Sequence, residues 1–223
     1  MVAALHDLTY EKWAAFIFNR PVTDPLWFNE PHAPYWKHEV DRLRRLEYLT
    51  RLFHKPRERL HGLSPDQIGV GLWYLINNTL GDYLRVLSDL TLPATLRHDG
   101  VATLVPLFHY FAEICDEEPI QRARHGYWAK VTCQMFWDVC ALWPDPTNPQ
   151  QRETDDACLD VMRQTLRIDH ATTEAASIHG LGLWARAYPA PVAAIIDDFL
   201  SAHAGLSEEL HDYAIKAKQG LVS

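Results

Sequence analysis

The chain holds 223 residues, 48% of them hydrophobic and 22% charged, with a formal net charge of −8. Those proportions exclude collagen-like, disordered and disulfide-scaffold classes. A chain this long buries about 70% of its unfolded surface, enough for a core without staples. The acidic total argues against a general nucleic-acid binder, whose affinity comes from Lys and Arg neutralising phosphates. Cys115, Cys133, Cys140 and Cys158 show no C-x-x-C spacing and lie in apolar stretches. They read as reduced core thiols rather than zinc ligands. Residues Met1–Asp7 lack the basic n-region of a signal peptide, and no apolar run approaches the ~20 residues of a membrane span. These features lead us to expect a cytoplasmic protein with no membrane partner.

Taken in chain order, nearly every long segment repeats its apolar residues with the helical period of about 3.6, and strand signals are scarce. The first predicted helix starts at Thr9 with Trp13, Phe16 and Ile17 as its stripe. Over 20–34, Pro21, Pro25, Pro31 and Pro34 predict an extended loop, in which Trp27 and Phe28 either staple the loop to the core or face a partner. A long helix is expected over about 35–53, with Trp36 at its start and Val40, Leu43, Leu46, Leu49 and Leu52 inward; Lys55-Pro56 stops it. Ser64-Pro65-Asp66-Gln67 then reads as a capping box that opens the next helix towards Asn77. Further helices are expected near 101–113 and 127–142, the latter closed by three prolines in 144–149. Four more follow at about 154–167, 172–187, 191–204 and 207–218, the last opened by Ser207. The whole chain, 1–223, reads as a single all-α domain of about nine or ten helices.

Gly69-Val70-Gly71-Leu72-Trp73 and Gly180-Leu181-Gly182-Leu183-Trp184 share the pattern G-x-G-L-W. No strand precedes either copy, so neither is a dinucleotide loop. Helical glycine costs about 1 kcal/mol against alanine, for which close helix–helix approach is the natural compensation. The second copy runs on through Ala187-Tyr188-Pro189-Ala190-Pro191 into Val192, Ile195, Ile196, Phe199 and Leu200. This segment resembles a hairpin of the HEAT or armadillo type, strongest over 172–200. The resemblance implies antiparallel hairpins in a right-handed array whose concave face binds a macromolecule. An irregular helical bundle is the alternative.

Signals for an enzyme are faint. Asp169, His170, Glu174 and His179 form the best candidate metal cluster, but His179 lies about 140° round the helix from Glu174. No cofactor or metal is therefore expected. Asp138 sits among apolar residues, and a carboxylate there needs a partner or a shifted pKa. A cryptic pocket around Asp138, Glu174 and His179 is the enzymatic alternative.

Charge is unevenly distributed. Between Lys37 and Arg59 eight basic residues face four acidic ones, a local +4 that leaves −12 for the remainder. A solvated helix face with pairs such as Glu47 with Arg51 and Asp41 with Arg44 or Arg45 accounts for this pattern. Equally, a basic edge beside an aromatic loop suits a partner. The main expectation is a non-enzymatic, adaptor- or immunity-like protein that binds an acidic protein through Trp27, Phe28, Trp36, Arg42, Arg44, Arg45 and Arg51. Nucleic-acid binding through 37–59 is the alternative.

Overall fold

Local signals set most of the helix starts. The computed structural model describes residues 9–30, 41–116, 125–203 and 205–222. Trp36, Lys37 and the expected helix start near Tyr35 lie outside them. Thr9 caps α1 (Tyr10–Phe18), its side chain accepting from the Lys12 amide at 3.3 Å. Asp41 caps α2 (Arg42–His54) through the Leu43 amide. That helix ends at Lys55 because Pro56 pushes the preceding residue out of the α region, and the same proline opens the single turn α3 (Pro56–Arg59). Both halves of the capping box form at Ser64 and Gln67, opening α4 (Pro65–Ile76). Asp82 then turns the chain with φ 51° into a 3-10 turn at Tyr83–Ser88.

Two expected helices are each split. The segment expected near 101–113 is α5 (Ala94–Ala102) and α6 (Leu104–Ile114), broken at Thr103. Pro106 has no N–H to return to the Ala102 carbonyl, so it sits in the first turn of a new helix rather than inside an old one. The segment expected over 127–142 is α7 (Tyr127–Gln134) and α8 (Phe136–Val139). The bend at Met135 lets Phe136 and Trp137 face inward, where both rings meet Phe108. The remaining helices are α9 (Arg152–Thr165), α10 (Ala171–Trp184), α11 (Pro189–Ala202) and α12 (Glu208–Lys218). The fold is all-α, and no strand occurs among the described residues.

The tightest pairing joins α4 and α7, which run parallel. Asp66, in the first turn of α4, accepts from the amides of Gly126 and Trp128 at 3.1 and 2.8 Å and so caps the start of α7. Further along, Thr132 donates its hydroxyl to the Gly69 carbonyl at 2.9 Å. At the far end the Asn78 amide donates to the Val139 carbonyl at 2.8 Å. Gly69 makes this approach possible: a Cβ there would lie 2.2 Å from the Ala129 nitrogen. The G-x-G-L-W echo recurs in this role. Each first glycine faces the α7–α8 segment, with Gly180 against the Trp137 ring, and each second glycine faces a terminal element, Gly71 at Phe18 and Gly182 at Val222.

Helix α10 lies at the centre, touching α6, α7, α8, α9, α11 and α12. It is buried nearly all round, so it carries small residues in place of an amphipathic stripe. Its buried hydroxyls are satisfied internally, Ser177 by the Thr173 carbonyl at 2.8 Å and by Thr165 at 2.7 Å. Contacts such as α4 with α7 and α5 with α9 join elements remote in the chain.

Gly69→Ala is expected to destabilise the fold by about 3 kcal/mol, because the obstructing atoms belong to the α7 backbone. Gly205→Ala, where an added Cβ meets nothing within 4 Å, should change stability by less than about 0.5 kcal/mol. Urea unfolding of the two variants checks the difference.

Candidate functional site

Helix α2 presents the basic face. Leu46, Tyr48, Leu49, Leu52 and Phe53 anchor it to the core, which leaves its arginines outside. They are not neutralised within the helix, as the sequence pattern predicted. Arg51 pairs with Glu11 of α1 at 3.0 Å, not with Glu47, and its guanidinium stacks on Tyr10 at 4.0 Å. Asp41 is occupied as the cap. Arg42 reaches Asp89 at 3.3 Å and Thr91 at 2.8 Å. Arg57 makes a two-pronged pair with Glu113 of α6, at 2.6 and 3.0 Å. Arg45 lies over the Tyr83 ring at 5.0 Å. Arg44 and Arg59 are exposed and make no ion pair among the described residues.

Electrostatics follow this division. Glu11 titrates below the usual carboxylate range, chiefly through a backbone hydrogen bond and further through Arg51. Burial raises the pKa of Tyr10, against the opposing pull of Arg59 and Arg51. Tyr10 therefore stays a neutral ring under the cations, the state that accepts them by cation–π attraction.

Clefts open along both sides of α2. One of about 990 Å³ lies between its start and the segment 85–92, lined by Arg42, Arg45 and Arg85 with Asp41 and Asp89. A second, of about 600 Å³, runs between α2 and α5 over Leu43, Leu46 and Leu96. A third, of about 370 Å³, lies towards α1 and shares Arg51 and Arg59 with the second.

The aromatic residues of the proline loop are placed differently from the arginines. Trp27 is 5% exposed and packs against Tyr74, Phe28 and Phe16, with ring centroids 4.7 to 5.6 Å apart. Half-buried Phe28 stacks on Tyr74. Both staple the loop to the core, and Trp27 offers almost no surface to a partner. Trp36 lies outside the described residues. Leu43, expected inward, is 52% exposed. Its position in the first turn of α2 lifts it off the core stripe that begins at Leu46. Trp143, unremarked in the sequence, exposes 57% of its surface. Its carbonyl accepts from Gln151 at 2.7 Å, and buried Asp155 holds the neighbouring Asp145 amide at 2.9 Å. An apolar side chain inside a proline loop gave no period by which to tell exposure from burial.

The structure does bring Asp138 and His179 together. His179 Nε2 of α10 stands 2.8 Å from Asp138 Oδ2 of α8, a close approach out of line for a hydrogen bond. His179 Nδ1 is 2.5 Å from the Tyr213 hydroxyl of α12. Burial, and then the Asp138 carboxylate, raise the pKa of Tyr213, so the phenol keeps its proton. Through Nδ1 His179 fastens α10 to α12, and its Nε2 edge lies against Asp138 of α8. Glu174 is buried on the same helix, while His170 turns elsewhere, its Nε2 3.0 Å from the Cys115 carbonyl. Among the described residues no group of His, Cys, Asp and Glu is placed to hold a metal ion. All four cysteines are buried and unpaired. Burial pushes the Cys115 and Cys140 thiols up to about 12 and holds Cys133 and Cys158 well above the usual range. None is a thiolate nucleophile at neutral pH. No helix among the described residues is long and apolar enough to cross a membrane.

No protein-family model, curated protein or solved structure matches the chain. Its own geometry carries the functional argument.

If His179 fastens α12, Tyr213→Phe should cost about 1 kcal/mol through the lost hydroxyl. His179→Ala should cost about 2 kcal/mol, since it strands the Tyr213 hydroxyl and removes the ring packed between α10 and α12. Urea unfolding gives the two values, and faster amide exchange confined to α12 would locate the effect.

Proposed function

We propose that this chain is a non-enzymatic helical binding protein that engages an acidic partner protein through the exposed face of α2. One observation carries the reading: described clefts open along this helix and its exit, and they are walled by its cations. Arginine suits such a surface, because its guanidinium binds carboxylates with two parallel donors and stacks on aromatic rings. Exposed ion pairs contribute only about 0–1 kcal/mol, so Arg42 and Arg51 exchange their present partners at little cost. Arg44 needs no exchange at all. An adaptor- or immunity-like role in the cytoplasm accords with this reading, as do four unpaired cysteines. The interleaved Asp41, Glu47 and Asp89 disfavour a phosphate backbone along the same face.

The test compares affinity capture from the native host by the wild-type chain and by Arg44→Glu. Arg44 is exposed and makes no ion pair among the described residues, so the variant should keep its helicity by circular dichroism. Recovery of the wild-type protein's partner should fall by roughly tenfold, the weight of one charge-assisted contact with repulsion in its place. Equal recovery of the same proteins by both baits would reject the α2 face.

A further inference from the structure

The groove between α2 and α5 permits a narrower statement, which rests on the protein-binding reading above and specifies the segment that binds. Its two ends differ in chemistry. At the end nearer the start of α2, Leu43 and Leu96 expose 52% and 41% of their surfaces beside buried Leu46. At the other end stand His54, Lys55 and Arg59. From Leu43 to Lys55 the α2 face spans roughly 18 Å at about 1.5 Å per residue, room for about three turns of a second helix. Gly100 lets α5 come close enough to wall the groove, since a Cβ there would meet Leu87 at 2.6 Å and Leu46 at 2.9 Å.

The cations at the basic end are incompletely neutralised. Arg59 is exposed and makes no ion pair among the described residues. Lys55 has Glu58 at 3.3 Å, a pair with both side chains more than half exposed. Such a pair is worth little and is readily exchanged for a better-placed carboxylate. Glu47 and Asp99, which line the same groove, repel an occupant that is acidic throughout. The pattern therefore selects a ligand that is apolar over the leucines and anionic beyond them. An amphipathic helix laid in a groove has that character. A nucleic-acid strand does not, because its charge repeats along its whole length.

We propose that the α2–α5 groove receives an amphipathic helical segment of a partner protein, with its apolar side chains on Leu43, Leu46 and Leu96 and its carboxylates on Lys55 and Arg59. The probe is a fluorescein-labelled peptide of about four helical turns, with leucines at helical spacing and glutamates grouped at one end. A control peptide carries lysine in place of each glutamate. Anisotropy titrations against the full chain should show saturable binding of the acidic peptide, with the control weaker by at least about tenfold. Leu96→Glu and Arg59→Glu should each weaken the acidic peptide by at least about tenfold. Arg186→Glu, the same charge reversal outside the groove, should leave it within about twofold.

The proposal fails if the acidic peptide does not saturate, if both peptides bind alike, or if Leu96→Glu has no effect. It fails equally if an oligouridylate displaces the peptide. Loss of partner capture with Arg44→Glu, alongside an absent peptide signal, removes the groove and leaves the broader reading standing. Capture unaffected by Arg44→Glu removes the broader reading.

Discussion

At Gly69 the α4 backbone runs so close to α7 that one methyl group would lie 2.2 Å from a main-chain nitrogen. Much of the molecule is positioned from that contact. It brings the Gly69 carbonyl within reach of the Thr132 hydroxyl, and it sets the start of α7 under the Asp66 carboxylate. With α7 fixed, the bend at Met135 delivers Trp137 to Gly180, where a second missing side chain makes room for the ring. Helix α10 is thereby seated, and its Gly182 receives Val222 from the chain end beyond α12. The two G-x-G-L-W segments are linked recesses. Each takes the central α7–α8 segment on one glycine and a terminal element on the other.

What the sequence disclosed follows the range of the forces involved. Caps and prolines act within a few residues, so Thr9, Ser64, Ser207 and Pro56 were legible, as was the all-α class. The breaks at Thr103 and Met135 were not, because periodicity persists across them while the axis turns. The glycines announced close approach without saying to what. The resemblance to stacked hairpins reached only 172–200, and no local pattern encodes that α4 and α7 lie parallel or that α10 sits at the centre. Those facts depend on pairs separated by some sixty residues, such as Asp66 with Gly126.

The site was legible in charge and illegible in geometry. The basic segment 37–59 drew attention, and described clefts line its helix. Yet Arg51 chose Glu11 over Glu47, a choice that belongs to tertiary placement. Of the two readings open for the loop aromatics, Trp27 took the staple to the core, while Leu43, expected inward, is exposed. The distinction among arginines follows from the same placement. Those whose reach ends at another helix hold the fold together, and those that end in solvent are available. Asp138 and His179, already grouped in the sequence, meet in space beside Tyr213, which no local pattern linked to them.

The two first glycines of the echo differ in what stands opposite them, and this sets how each site can change through evolution. Opposite Gly180 is the Trp137 side chain, with Met162 beside it. A smaller residue at 137 would admit a side chain at 180, so a compensating second substitution exists there. Opposite Gly69 is main chain, identical whatever residues occupy 128 and 129. No partner substitution relieves that clash, and lineages of this fold should drift at position 180 in correlated pairs while position 69 stands fixed and alone.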